Sequence, residues 1–227
     1  MIGKKQKLFI KLLIEIINSL SKTMELKKNY AVNHGKKNEK SLNLNKRLFD
    51  TYNRIAKKKI GKNLSGVNID LGCGDKAFTE YLKTVGIISH PYDFPSFDIE
   101  NDQLLHEDES IDFVTMNAVI EHIKNPDNIF KEIRRVLKIN GLVFVRTPNW
   151  LLDQKNFYND PTHVRPYTPK SLKLTFELYR LKTIFIEPGL IEKSWLWWKL
   201  SDKIKWRLCS LLSGGTKSII GVGAKVG

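Results

Sequence analysis

Four groups of residues in this 227-residue chain have types and spacing that could do chemistry. In NIDLGCGDKAF (68–78), Asp70 stands just ahead of a Gly72-Cys73-Gly74 turn that closes a short apolar run. Glycines at a strand-to-helix turn let backbone approach a ligand closely, and the helix N-terminus that follows offers free N–H groups to an anionic group. Asp93 follows Gly74 by 19 residues, at the end of the next apolar run. Folds of this kind commonly place an acid there to accept hydrogen bonds from ribose hydroxyls. The two features together point to a nucleoside-containing cofactor. Read as Gly72-x-Gly74-x-x-Ala77, the turn also fits a dinucleotide fingerprint. The acid at Asp70 argues against that reading, because a carboxylate so close to the glycines is poor company for a pyrophosphate. It suits a ligand that carries an ammonium group.

The segment YNDPTHVRPYTP (158–169) gathers Asp160, His163, Arg165 and Tyr167 within eight residues. Imidazole is the side chain that ordinarily titrates nearest neutrality, so His163 is the natural general base of the group. Its bland alternative is a brace that holds the loop through backbone hydrogen bonds. Glu121-His122 forms a second acid–imidazole pair, and His122 joins His163 as a catalytic candidate.

These residues need a scaffold, and the chain supplies a pattern for one. From residue 66 the runs GVNIDL, GIISHPYDF, DFVTMNAV and GLVFVRTP read as strands, separated by KAFTEYLKTV and PDNIFKEIRRVLK at helical spacing. Asn125-Pro126 starts the second of these helices, and Gly141 lies just past its basic end. Strand–helix alternation predicts an α/β domain around a mainly parallel sheet. Residues 148–168 read as a long irregular loop, the kind that is usually functional. A helix from Thr168-Pro169 to about 180, a strand at 182–188, a Trp-rich helix at 194–212 and a final apolar run follow. Ahead of the domain, residues 1–62 read as a basic helical extension, with helices at 5–20 and 42–59 joined by a polar linker at 33–40.

Asp-x-Gly-x-Gly in this setting resembles the first motif of class I S-adenosylmethionine (SAM) methyltransferases. The resemblance continues through DESIDFVTMNAVIEHIKNPDNIFKEIRRVLKINGLVFVRTPN, which is similar to the small-molecule, methyltransferase type 11-like branch, and covers roughly residues 66–190. It implies a doubly wound, seven-stranded Rossmann-like sheet and SAM as cofactor over residues 63–227. It places Asp70, Leu71, Gly72, Cys73 and Gly74 around the methionine part, Asp93 at the ribose, Asp98 near the adenine, and Asn117–Ala118 along the site. Two positions depart from the family: its third motif glycine is Lys76, and its Gly-Gly before the fifth strand is Asn140-Gly141. Residues 160–166 are similar to a DPtHvrp segment of polysaccharide-associated methyltransferases, which implies O-methylation of a sugar or a lipid-linked glycan. Small-RNA 2′-O-methyltransferases and some quinone methyltransferases bind a metal through Glu-x-x-Glu-His and a later histidine. Here the first of those glutamates is Ala118, and two histidines serve oxygen-loving Mg²⁺ poorly. No metal is expected.

Composition bounds the partners. The formal net charge is +14, but residues 1–65 alone hold 17 Lys/Arg against 4 Asp/Glu, while 66–150 hold 8 against 14. Basic flanks favour an anionic partner, either a membrane surface met through 1–20 and 194–212 or RNA. An RNA methyltransferase is therefore the rival enzyme, and a SAM-fold scaffold without turnover is the non-enzymatic rival. A second copy of the chain covering the 194–212 helix is a further partner reading. No run approaches the roughly 18 apolar residues of a membrane-spanning helix. Cys73 and Cys209 form no Cys-x-x-Cys pair, so a reduced, cytoplasmic setting is expected, peripheral to the membrane at most.

Overall fold

The computed structural model describes residues 39–188 and 217–227. Helix α1 (Glu39–Ile60) leads in, with Lys57, Lys58 and Lys59 in its last turn, where the helix dipole favours cations. Its Leu48, Phe49, Tyr52, Ile55 and Ala56 share one face and are all buried. Strand β1 (Val67–Leu71), helix α2 (Ala77–Thr84), β2 (Ile88–Tyr92) and β3 (Ile111–Asn117) follow. A 3₁₀ turn at Ile120–His122 leads to α3 (Asp127–Val136), β4 (Leu137–Pro148), α4 (Trp150–Phe157), α5 (Pro169–Leu178), β5 (Leu181–Pro188) and β6 (Ser218–Lys225).

The strands make one sheet in the order β2-β1-β3-β4-β6-β5. β1, β2, β3 and β4 run parallel, and β6 inserts antiparallel between β4 and β5. Both faces are covered, which is why the central strands read as nearly unbroken apolar runs. On one face Ile129, Phe130, Ile133 and Val136 of α3 and Leu172 and Phe176 of α5 pack on Ile69, Val114 and Val143. On the other, α1 and the Phe78 and Leu82 side chains of α2 pack on Phe113, Phe144, Ile220 and Val222. A Cβ at Gly221 would stand 2.6 Å from Leu172 Cδ2, so glycine in β6 is what lets α5 approach. The expected doubly wound α/β architecture is present, with a helix ahead of it.

Four expectations need correction or fall outside the view. The sheet has six strands among the described residues, not seven. Residues 93–110, where a further strand could follow β2, are occupied by turns that acidic side chains tie together. The stretch 148–168 is not wholly irregular: Asn149 accepts from the Leu151 N–H to start α4, and Trp150 packs edge-on to Phe157. That helix has no apolar stripe, because its kink at Asp153 breaks the period, so spacing could not reveal it. Helix α3 ends at Val136, and the chain is already extended at Leu137, so Gly141 lies within β4 and does not terminate the helix. The helices expected at 5–20 and 194–212, their proposed membrane contact and Cys209 lie outside the described residues. No helix among the described residues is long and apolar enough to cross a membrane.

Candidate active site

The carboxyl edge of the parallel strands carries the candidate residues, as open α/β sheets place their ligands. Gly72 and Gly74 both take positive φ, at 65° and 54°. A Cβ on Gly72 would lie 2.3 Å from Val119 Cγ2, whereas one on Gly74 would meet nothing within 4 Å. The loop is therefore closed beneath Gly72 and open beside Gly74. Its backbone is pinned to the end of β2: the Gly72 N–H donates to Tyr92 O at 2.8 Å, and the Gly74 N–H donates to Asp93 Oδ2 at 2.8 Å. The other Asp93 oxygen accepts from the Phe94 N–H. Burial raises the Asp93 carboxyl's pKa and those two N–H groups pull it back. Lys76, at the departed glycine position, adopts φ 62°, so this side chain holds a backbone conformation that favours glycine.

Asp70 sits beneath the loop and not in its mouth. It is 2 % exposed, accepts from Thr79 Oγ1 at 2.8 Å and Thr115 Oγ1 at 3.0 Å, and is pushed up to about 6 by burial. Leu71 beside it is fully buried. Cys73 is a free thiol whose pKa burial and the Asp70 and Asp93 charges push up to about 12, so it is no nucleophile at neutral pH. Asp98 spends its carboxylate within its own turn, accepting from the Glu100 N–H and Asn101 Nδ2.

Asn117 and Ala118 end β3. The Ala118 N–H donates to Arg146 O at 2.8 Å, and Ala118 takes φ 55°, a second strained residue on this edge. Asn117 Oδ1 accepts a short hydrogen bond from the hydroxyl of Tyr52, brought from α1. Tyr52 is wholly buried, and burial together with the Asp70 charge raises its pKa against the pull of Arg146. Sequence reasoning did not select Tyr52, Thr79 or Thr115. The apolar face of α1 marks Tyr52 as buried, but nothing local says that its hydroxyl reaches β3.

The second group gathers on the 3₁₀ turn after β3. Glu121 is fully buried; one oxygen accepts from Thr147 Oγ1 at 2.9 Å, and Oε1 has no hydrogen-bond partner. Burial pushes its carboxyl up to about 7 against the Thr147 hydroxyl and Arg146. The 158–169 loop docks here, since the Val164 and Arg165 N–H groups both donate to Glu121 O. His122 and His163 lie with ring centroids 4.7 Å apart. His163 Nδ1 meets Phe157 O at 2.6 Å, and His122 Nδ1 meets Thr162 O at 3.2 Å. A carbonyl only accepts, so both Nδ1 atoms carry a proton, and in the neutral rings that tautomer leaves the Nε2 lone pairs free. Burial and the neighbouring His163 lower the His122 pKa, so its imidazole stays neutral near pH 7. Asp160 accepts from the Thr162 N–H and hydroxyl and reaches within 3.8 Å of His163 Nε2. Residues 41 apart in the chain, His122 and His163, are thus brought side by side.

A family model described as a methyltransferase domain matches residues 41–184. Among solved structures, a SAM-dependent methyltransferase from Archaeoglobus fulgidus is similar at 20 % identity and a TM-score of 0.51, covering 78 % of this chain and 94 % of that one. One from Aquifex aeolicus is similar at 15 % identity and 0.53, covering 79 % and 92 %. The Haemonchus contortus phosphoethanolamine N-methyltransferase 2, solved with S-adenosyl-L-methionine, is similar at 16 % identity and 0.55, covering 79 % of this chain and 53 % of that one. At these identities the likeness is one of fold. No curated protein matches the chain.

Proposed function

The chain belongs to the methyltransferase-domain family, and from that premise we propose that it moves a methyl group from SAM to a hydroxyl of a sugar or lipid-linked glycan intermediate. The observation that carries the cofactor half is the Gly72–Gly74 loop, open beside Gly74 and tied by its backbone to Asp93. The residues fit such a ligand. Asp93 keeps lone pairs for ribose hydroxyls, Asn117 and Ala118 border the same edge, and Asp70 sets a buried negative charge under the loop toward a cationic ligand. Leu71 ends β1 fully buried, Cys73 lies between the two loop glycines, and Asp98 holds the turn beyond Asp93. SAM supplies a methyl on a positively charged sulfur. An acceptor hydroxyl that took this methyl, leaving the bonding pair on sulfur, would have to give up its proton to a residue of this chain.

The chain contributes to that step by position and by proton acceptance. Well-oriented proximity supplies up to roughly 7–11 kcal/mol, and a general base adds about 10²–10⁴-fold. The Nε2 atoms of His163 and His122 are the proton acceptors of this reading. The acceptor class rests on residues 160–166 and their likeness to polysaccharide-associated enzymes, and the setting proposed is the cytoplasmic side of a membrane. The basic residues 1–65 support the rival, an RNA acceptor.

Calorimetric titration of the purified chain with SAM, S-adenosylhomocysteine and NAD tests the cofactor. Saturable binding of the first two and none of NAD is expected; failure to bind SAM would hand the lead to a non-catalytic scaffold. Labelled-methyl transfer to glycan and RNA panels then tests the acceptor. His163→Ala is expected to lower turnover by about 10²–10⁴-fold while SAM affinity stays near wild type. Loss of SAM binding in that variant would refute the division of roles.

A further inference from the structure

One carboxylate oxygen or imidazole nitrogen from each of Glu121, His122 and His163 lies within 4.8 Å of the others. Two independent features aim this cluster at a cation. The Oε1 atom of Glu121 is buried without a hydrogen-bond partner, an arrangement that a carboxylate rarely tolerates. Each histidine donates Nδ1–H to a backbone carbonyl, which fixes the tautomer that leaves Nε2 as a ligand. That outer-shell arrangement typically orients metal-bound histidines. The proton on the Thr162 hydroxyl goes to Asp160 at 2.6 Å, so this hydroxyl cannot donate to His122 Nδ1 and only reinforces the orientation.

We propose that Glu121, His122 and His163 form a binding site for one divalent transition-metal ion of the zinc, cobalt or manganese class. Two imidazoles and one carboxylate suit these ions and disfavour Mg²⁺, which takes oxygen ligands. Ligands bonded at about 2.0–2.2 Å stand roughly 3–3.5 Å apart, so loading would draw in any pair that stands near the 4.8 Å limit. Asp160, close to His163 Nε2, adds negative charge to the site. Three protein ligands leave coordination positions open; with both Nε2 lone pairs given to the ion the histidines accept no proton, and the loaded site would act instead by making an acceptor oxygen bound in an open position lose its proton more readily. This role rests on the methyltransferase reading above; the binding itself does not. It also revises the expectation of no metal, which rested on Ala118 standing in for one glutamate and on two histidines serving Mg²⁺ poorly, an objection that does not apply to ions that favour imidazole.

The test uses the full chain stripped with a chelator and titrated with Co²⁺, followed by visible absorption, with SAM binding measured on the same preparation. One equivalent is expected, with the intense bands of a nitrogen-ligated ion, displaced by Zn²⁺ and not by millimolar Mg²⁺. His163→Ala is expected to weaken binding by about 100-fold or more while still binding SAM. Wild type that binds SAM but takes up no stoichiometric Co²⁺ overturns the site and leaves the methyltransferase reading standing. Stoichiometric Co²⁺ without SAM binding keeps the site and sinks that reading. A His163→Ala chain that holds Co²⁺ as tightly as wild type also overturns it. Should that variant fail to bind SAM, the wild-type spectrum decides, because weak octahedral bands alone would mean only surface carboxylates bind the ion.

Discussion

At the scale of single residues, Asp70 and Glu121 are carboxyls pushed up by burial, to about 6 and about 7. A raised folded-state pKa contributes stability that is complete below the unfolded value and is lost as pH rises through the folded one. The ligand-free chain should therefore become more stable from these two groups as pH falls from about 7 toward 4.5, a shift that thermal melts would register and Glu121→Gln would flatten. Affinity for the sulfonium cation should move the opposite way. It weakens as pH falls through about 6 and Asp70 protonates, and Asp70→Asn should be about tenfold weaker and flat across that range, by calorimetry. Affinity rising in acid would show that Asp70 does not sense the ligand. Lys76 carries a different cost. Its left-handed φ is unfavourable by about 1–2 kcal/mol for a residue with a Cβ. Part of that returns as unfolded-state entropy in glycine. Lys76→Gly should thus gain up to about 1 kcal/mol in denaturant unfolding; a loss of that size would mean that the lysine side chain is needed.

Among the elements, α1 matters most for what the sequence did and did not disclose. Its buried face covers one side of the sheet, and Tyr52 reaches through to Asn117 at the end of β3. The division at residue 62 into extension and domain makes a direct test possible. Chains starting at residue 63 should expose Phe113, Phe144 and Val222 and fail to fold cooperatively, as judged by circular dichroism and chemical unfolding. A folded, SAM-binding truncation would show that α1 is dispensable. Tyr52→Phe is milder: losing one hydrogen bond should cost about 1 kcal/mol of stability. The boundaries of α2 and β1 were legible because period and turn chemistry agree there. Helix α4 was not, since its register is set by Asn149 and by contacts among Trp150, Phe157 and Tyr158.

For the whole molecule, the uneven charge separates the two acceptor classes. Single-stranded RNA binding loses about 0.7 log units of affinity per log unit of salt for each phosphate contact. A neutral sugar hydroxyl carries no such term. Raising salt from 50 to 200 mM should therefore leave KM for a neutral glycan acceptor within about twofold, whereas a steep climb in KM for RNA with high turnover would favour the rival. The acidic stretch 66–150 holds the glycine loop, so the excess basic charge lies in the flanks and not around the proposed cofactor site.

The amino-acid sequence determined by itself the α/β alternation, the glycine loop and its acid at Asp93, because each is a local pattern in which spacing, turn chemistry and apolar runs coincide. It also brought His163 and Glu121-His122 into view as residues of the right chemistry. Only the tertiary structure decided what they face. Asp70 turned out to be buried under two threonine hydroxyls, Tyr52 reached β3 from another layer, and His163 came to lie against His122 with Glu121 beneath. Such meetings depend on how crossover connections and helix packing bring distant segments to one sheet edge, and no local period in the chain encodes them.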